Sequence, residues 1–198
     1  MIRWIESLSD WDRTLPAALV GAGVAPGELD ALLHALAARA LGCAPEAIEI
    51  RQEAGRAPVI ARPPDSGLHL SKGSRGDLAA VAVADGPVGV DVEGVEPDAE
   101  IPWNVLHHAE AAMLRALEAP VRARAFARLW SLKEAYLKAL GTGLSREPAS
   151  FAVTFLNEKR AAVDDAAAST RVVAAETVWR SARGSIAAIS AVLLVPKS

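Results

Sequence analysis

The order of the apolar segments limits the folds that this chain can adopt. Stretches with apolar residues at helical spacing are separated by short apolar runs that are typical of strands. The strands come in groups with helices between the groups, which favours an α+β fold over a doubly wound parallel sheet. The patterns predict helices over residues 28–41, 109–118 and 122–140, and strands over residues 47–51, 78–84, 88–93, 151–156, 171–179 and 185–195.

Two of these strands are predicted to form a hairpin. Only Asp85, Gly86 and Pro87, which together favour a turn, separate residues 78–84 from residues 88–93. A link this short is typical of antiparallel neighbours. We therefore expect the two strands to pair with each other in one sheet.

Composition and charge exclude several classes of protein. Of the 198 residues, 52% are hydrophobic, which suits one domain or two closely packed halves with a buried core. The apolar stretches are shorter than the roughly 20 residues that span a bilayer, and acids interrupt the apolar N-terminus, so we expect no membrane contact and a cytoplasmic location. The net charge of −3 argues against nucleic-acid binding, which needs a clustered cationic surface.

Two carboxylates, Asp91 and Glu93, lie two residues apart in the predicted strand 88–93. Successive side chains of a strand alternate between its faces, so these two share one face and the valines between and before them point to the other. A divalent cation relieves the repulsion between neighbouring carboxylates, and a site of oxygen ligands favours Mg²⁺ or Mn²⁺ over zinc. The alternative is an edge strand with a solvated polar face, and the pair alone does not decide between the two.

The predicted helix 122–140 carries a second group of charges. Glu134 and Lys138 are four residues apart, one helical turn, in the order that gives a favourable pair. They lie next to Trp130 and Leu137, near the apolar side of the helix, where an unpartnered charge is costly. A third carboxylate facing Asp91 would complete a metal site, and a nearby lysine would bind phosphate oxygens; the alternative is an ordinary surface ion pair.

The segments VGVDVE and LWSLKEAYLKALGTGL together resemble the two signature motifs of the 4′-phosphopantetheinyl transferases of the surfactin-synthetase type. GRAP at residues 55–58 is similar to a further family segment, residues 70–71 to the strand before a Ser-His pair, and Glu110 to an acid that opens the helix between the motifs. The resemblance implies an α+β fold of two similar halves, residues 1–86 and 87–198, each a small antiparallel sheet packed with helices.

The resemblance also implies an activity. Members of the family transfer the 4′-phosphopantetheine group of coenzyme A to a serine of an acyl or peptidyl carrier protein, with Mg²⁺, and release 3′,5′-ADP. Carried over by motif, the metal ligands are Asp91, Glu93 and Glu134. The catalytic residues are Glu134, as acceptor of the serine proton, with Lys133 and Lys138. The residues that bind coenzyme A are Arg56, Ser71, Lys72, Lys133 and Lys138.

Two further expectations concern the surroundings of this site. Glu110 is a weaker candidate for a role linked to the metal or to a water molecule. The carrier protein, acidic in this family, is expected to dock on a basic surface formed by Arg115, Arg122, Arg124 and Arg128. A cleft between two halves of one chain favours a monomer.

The sequence departs from the family at the Ser-His pair, which here is Ser71-Lys72. Lysine keeps a positive charge but is a compact donor on a flexible stem. The N-terminal region is also poor in basic residues, with none but His34 between Arg13 and Arg39. Two alternatives therefore stay open: a catalytically impaired protein that binds a carrier protein or a nucleotide, and another Mg²⁺-dependent enzyme acting on nucleotides or phosphates.

Overall fold

The computed structural model describes residues 1–25 and 27–197, and its elements are helices and mostly antiparallel strands, which confirms the α+β class. The helices are α1 (Leu29–Leu41), α2 (His108–Arg115) and α3 (Ala119–Leu140). The strands are β1 (Arg3–Ile5), β2 (Ala17–Ala22), β3 (Glu49–Arg51), β4 (Val59–Arg62), β5 (His69–Arg75), β6 (Leu78–Ala84), β7 (Val88–Gly94), β8 (Ala152–Phe155), β9 (Ala161–Asp164), β10 (Thr170–Ala182) and β11 (Ser185–Pro196). None of the described helices combines the length and apolarity needed to cross a membrane.

The same topology occurs twice along the chain. The first repeat runs from β2 to β6. Its last strand, β6, lies between the first strand, β2, and the preceding strand, β5, and pairs with both. In the second repeat, β7 to β11, the order is β7-β11-β10, again antiparallel throughout. A two-stranded hairpin, β3-β4 or β8-β9, follows the helices in each repeat. The expected similarity of the two halves is confirmed, while the division at residues 86 and 87 stays a prediction.

The predicted hairpin between β6 and β7 is wrong. Strand β6 is bonded on one side to β2 and on the other to β5, so both of its edges are occupied. Strand β7 pairs instead with β11, in a separate sheet. The link over residues 85–87 therefore joins the two sheets and does not form a hairpin turn. Strand β1 adds a further difference, because it extends the first sheet by pairing with β2 in parallel.

The apolar side chains form three clusters that define the layers. One lies between α1 and the first sheet, and another lies between α2, α3 and the outer face of the second sheet. The third lies between the two sheets, with alternating residues of β6 on one side and of β7 and β11 on the other. The layers therefore run helix, sheet, sheet, helix, and the second sheet is buried on both faces.

Helix α3 approaches β7 closely at Gly89. A Cβ placed on Gly89 would lie 1.9 Å from the carbonyl oxygen of Ala135, which no real side chain tolerates. The absence of a side chain at this residue therefore allows the backbones of helix and strand to touch. This contact brings the residues that follow Gly89 in β7 next to the C-terminal turns of α3.

Candidate active site

The two carboxylates of β7 face α3, as the alternation of the strand predicts. Val88, Val90 and Val92 belong to the cluster between the sheets, so the side chains of Asp91 and Glu93 project from the opposite face. Asp91 is almost fully buried, and its Oδ1 accepts a hydrogen bond from Lys138 Nζ at 2.7 Å. Asp91 therefore meets neighbouring elements, while Glu93, with 17% of its side chain exposed, stays partly open to solvent.

Lys138 links three elements at the join between the sheets. Its Nζ donates to Asp91 Oδ1, to Val90 O at 3.1 Å and to Lys72 O at 3.2 Å. Strands β5 and β7 are edge strands of their sheets, and Ser71 Oγ accepts a further bond from Val90 N at 3.0 Å. Side chains thus satisfy backbone groups that an edge strand would otherwise leave unpaired.

Glu134 is half-buried and lies one turn before Lys138 in α3. Within residues 1–25 and 27–197 its carboxylate makes no hydrogen bond within 3.5 Å and no ion pair within 4.0 Å. Burial raises the pKa of Glu134, and repulsion from Asp91 acts in the same direction, while Lys138 opposes them. The carboxylate is therefore available to a ligand and holds a proton more readily than an exposed glutamate.

Five of the residues predicted to form the site line one cavity of about 240 Å³ between the repeats: Arg56, Ser71, Lys72, Glu134 and Lys138. Three of the five are cations, so the cavity suits an anionic ligand. Backbone from Gly55, Gly141 and Gly143 completes the wall, and each of these glycines has a positive φ that favours glycine. The structure thus brings together residues that are far apart in the sequence.

The three predicted metal ligands are electrostatic neighbours. Burial raises the pKa of Asp91, of Glu93 and of Glu134, and repulsion from Asp91 contributes to the shift in Glu93 and in Glu134. Three oxygen donors with surplus negative charge in a partly dry site match the chemistry of a hard dication. In the described part of the chain, however, no three acidic, histidine or cysteine side chains converge closely enough to ligate an ion. Asp91 and Glu93 are instead turned towards Lys138 and Arg75.

Lys133 does not face this cavity, which contradicts its predicted roles in catalysis and coenzyme binding. Its side chain is 0% exposed, and its Nζ donates to Pro148 O at 2.8 Å and to Phe151 O at 2.9 Å. It also pairs with Glu110 Oε1 at 2.9 Å. Consecutive residues of a helix point about 100° apart, so with Glu134 at the cavity, Lys133 enters the core of the second repeat.

Glu110 and Arg128 also lie elsewhere than expected. Glu110 is buried, and its two oxygens accept from the backbone N–H groups of His107 and Val153, so it caps α2 and anchors β8. Arg128 is buried and donates to two backbone carbonyls. Arg122 and Arg124 line different cavities. Arg128 is therefore not free to meet a docked protein, while a docking surface that includes Arg115, Arg122 and Arg124 stays a prediction.

Two charged residues near the site lie outside the predicted sets of metal ligands, catalytic residues and coenzyme ligands. Arg75 is at the end of β5, and its Nη2 lies 3.6 Å from Glu93 Oε1 and 3.4 Å from Glu96 Oε1. Asp30, in the first turn of α1, forms an ion pair with Lys72. A signal for Arg75 existed, since residues 71, 73 and 75 alternate onto one face of β5, the face that meets β7. No local pattern connects Asp30 with a strand 42 residues later.

Sequence comparisons with known proteins show the family to which the chain belongs. A sequence model of the 4′-phosphopantetheinyl transferase superfamily matches residues 87–188, more than half of the chain. A 4′-phosphopantetheinyl transferase of Bacillus subtilis is 31% identical over 137 residues, covering 68% of this chain and 60% of the relative. The 4′-phosphopantetheinyl transferase psf-1 of Bacillus pumilus is 34% identical over 107 residues, covering 54% of this chain and 45% of the relative.

A solved structure was also found, that of holo-[acyl-carrier-protein] synthase from Thermotoga maritima. It superposes with a TM-score of 0.42 at 23% identity, covering 56% of this chain and 64% of the other. The chain spans 60% or less of the length of the transferases that it matches in sequence.

Proposed function

Since the chain belongs to the 4′-phosphopantetheinyl transferase superfamily, we propose that it transfers the phosphopantetheine group of coenzyme A to a serine of an acyl or peptidyl carrier protein. One observation carries the proposal. Arg56, Ser71, Lys72, Glu134 and Lys138 come from both repeats and line a single cavity beside Asp91. Three cations next to a cluster of carboxylates suit a ligand that carries several phosphates and a metal ion.

The nucleotide end of coenzyme A would occupy this cavity. Arg56 has an exposed guanidinium that can make forked contacts to phosphate, and Lys72 and Lys138 offer ammonium groups. The glycine-lined wall admits a ligand close to the backbone. Ser71 is buried, and its Oγ already accepts a hydrogen bond from Val90 N. Its contribution to coenzyme binding would therefore be to hold β5 against β7 at the wall of the cavity.

Asp91, Glu93 and Glu134 would hold Mg²⁺ or Mn²⁺. When bound, the ion would neutralise charge on the pyrophosphate, which is the main requirement of phosphoryl transfer. To bind the ion, Asp91 would have to release Lys138, and Glu93 would have to release Arg75. Lys138 would then be free to contact phosphate oxygens from the same place.

The transfer itself is a displacement at phosphorus. The serine oxygen of the carrier forms a bond to the phosphorus next to the pantetheine arm, and the bond from that phosphorus to the bridging oxygen breaks, which releases 3′,5′-ADP. The serine proton passes to Glu134. This carboxylate suits the role because it makes no hydrogen bond or ion pair with the described residues and because burial raises its pKa.

The carrier protein would approach from the other side of the carboxylates. A second cavity of about 530 Å³ is lined by Glu93 and Arg75 and by the aromatic rings of Trp103, Phe126 and Trp130. An acceptor serine in this cavity would approach Glu93 without crossing the nucleotide. The apolar rings offer contact area to the side chains that flank the serine.

Intact-mass spectrometry of an apo carrier protein tests the proposal. With coenzyme A and Mg²⁺ we expect a mass gain of one phosphopantetheine, which EDTA abolishes. Asp91→Asn should lower the rate by about a thousandfold, because it removes a charge that the metal and the transition state both need.

Glu6→Gln is the matched control, since it removes one acidic charge from an exposed ion pair that does not line either cavity. We expect it to keep the wild-type rate. No mass gain with any of several carriers, or an Asp91→Asn variant as fast as the wild type, would contradict the proposal. Binding of coenzyme A without transfer would instead identify a binding module.

A further inference from the structure

The Lys72 ammonium, which lines the nucleotide cavity, is already paired with a carboxylate of the protein. Its partner is Asp30, which α1 presents to β5. The two side chains differ in their surroundings: that of Lys72 is 20% exposed and that of Asp30 is 68% exposed. The pair therefore lies at the edge of the cavity, with the carboxylate on the solvent side.

This pairing changes the charge that the cavity offers to a ligand. Of its three cations, Lys138 is bound to Asp91 and to two backbone carbonyls. Arg56 makes no ion pair with any described residue within 4.0 Å. A phosphate that reaches Lys72 must displace Asp30 or accept its repulsion. Asp30 is well solvated, so it can turn into water at little cost, and the exchange of one anion for another is feasible.

We propose that Asp30 competes with phosphate esters for Lys72 and thereby weakens their binding. The inference depends on the proposed function for the class of ligand, a phosphorylated nucleotide. It concerns only the strength of binding, because Asp30 does not touch Asp91, Glu93 or Glu134. In this chain, therefore, the charge of Lys72 is partly withheld from the ligand by the first turn of α1.

Calorimetric titration with 3′,5′-ADP tests the inference in a double-mutant cycle. Asp30→Asn should tighten binding by about fivefold at low salt, because it removes one negative charge and releases Lys72. Lys72→Met should weaken binding. In the Lys72→Met background, Asp30→Asn should have almost no effect, since there is no longer an ammonium group for which Asp30 and the phosphate compete. Raising the salt concentration from about 0.05 M to about 0.5 M should shrink the gain from Asp30→Asn.

Glu6→Gln again serves as the control. Its partner Arg180 is 32% exposed and Glu6 is 73% exposed, so this pair matches Lys72 and Asp30 in exposure while lying outside the cavity. Its removal should leave the affinity for 3′,5′-ADP within about twofold of the wild type.

Four results would overturn the inference: weaker binding by Asp30→Asn, an equal gain in both backgrounds, no effect of Asp30→Asn on binding, or no binding of 3′,5′-ADP by any variant. The first would mean that Asp30 orients Lys72 for the ligand, and the second that only long-range charge acts.

Failure of the proposed transferase activity is a separate outcome. Phosphopantetheine transfer with no effect of Asp30→Asn on binding would refute the inference alone, whereas the expected cycle without transfer would refute the proposed activity alone.

Discussion

The two repeats have one topology but very different strands and helices at corresponding places. Strand β2, which opens the first repeat, reads AALVGA and has no ionisable side chain. Strand β7, which opens the second, carries Asp91 and Glu93. Helix α3 supplies Glu134 and Lys138 to the cavity, and α1 supplies only Asp30, from outside. The comparison teaches that the topology alone does not make this site; a few polar residues on one copy of it do.

The repeats also differ in what they bury. Among the described residues, Ser71 is the one buried polar or charged side chain that precedes β7. The second repeat buries the pair of Lys133 and Glu110, and a chain of bonds from Tyr136 through Asp165 to Arg146. Burial and the neighbouring Asp165 carboxylate raise the pKa of Tyr136, so its hydroxyl stays a donor. Buried polar groups need fixed partners, and these partners hold α3 in one position.

The largest effect on stability is expected from Lys133→Met. This change leaves the Glu110 carboxylate buried without its cation and should lower the free energy of unfolding by about 3 to 5 kcal/mol. Ser71→Ala, the corresponding loss of a buried polar group in the first repeat, should cost about 1 to 2 kcal/mol, because Val90 N–H loses its acceptor.

Urea unfolding of both variants measures the difference between the repeats. The double variant with Lys133→Met and Glu110→Gln should recover part of the loss, since no buried charge remains. A Lys133→Met protein as stable as Ser71→Ala would show that the ion pair supports the second repeat no more than the hydrogen bond of Ser71 supports the first.

A smaller effect is expected from adding one methyl group to the opening strand of each repeat. Gly89→Ala should cost about 2 to 4 kcal/mol, because the new Cβ meets the backbone of α3 at 1.9 Å. Gly21→Ala in β2 meets the end of a side chain, Val24 Cγ2 at 2.7 Å, which can rotate away, so its cost should be about 1 kcal/mol or less.

Thermal and urea unfolding of the two alanine variants provide the comparison. Equal costs would mean that α3 can shift on β7 as easily as Val24 can rotate. In that case the close contact at Gly89 would not be what positions Glu134 beside Asp91.

The smallest effect concerns pH. Burial raises the pKa values of Asp91, Glu93 and Glu134, so without a metal ion the folded protein binds protons more tightly than the unfolded chain. The contribution of these groups to stability is therefore full below their ordinary pKa values and is lost as the pH rises through the raised ones.

Glu134→Gln isolates this effect. Near pH 4 the variant and the wild type should be similarly stable, and near pH 8 the variant should be the more stable of the two. Mg²⁺ should remove the difference by stabilising the wild type. Urea unfolding at both pH values is the measurement, and a Glu134→Gln protein that loses stability at pH 8 would contradict it.

Local sequence was sufficient for the elements with strong periodicity. The long helix α3 and the strands β7, β10 and β11 follow from their apolar patterns, because period and length depend on neighbouring residues. The shared face of Asp91 and Glu93 follows in the same way from the alternation of a strand. The patterns do not predict five strands. Strands β1, β4 and β9 are short, β2 is rich in alanine and glycine, and β5, with the sequence HLSKGSR, is largely polar.

The partners of those elements depended on contacts between distant parts of the chain. The short link after β6 favours a hairpin locally, but β2 and β5 occupy both edges of β6, so β7 pairs with β11. Lys133 and Glu134 are adjacent charged residues, and the local sequence does not indicate which of them faces the core. The packing of α3 on the second sheet places one in the core and the other at the cavity.

For the charged residues of the site, too, the sequence determines one property and the fold another. The residue types that can bind a metal ion and phosphates are present in the sequence, because carboxylates and lysines keep their chemistry in any fold. Their availability is a property of the folded chain, since Lys138 is held by Asp91, Lys72 by Asp30 and Glu93 by Arg75. These pairs join segments that are distant in sequence. Such segments meet only when a helix packs on a sheet, as for Lys72 with Asp30 and Lys138 with Asp91, or when the two sheets pack together, as for Arg75 with Glu93.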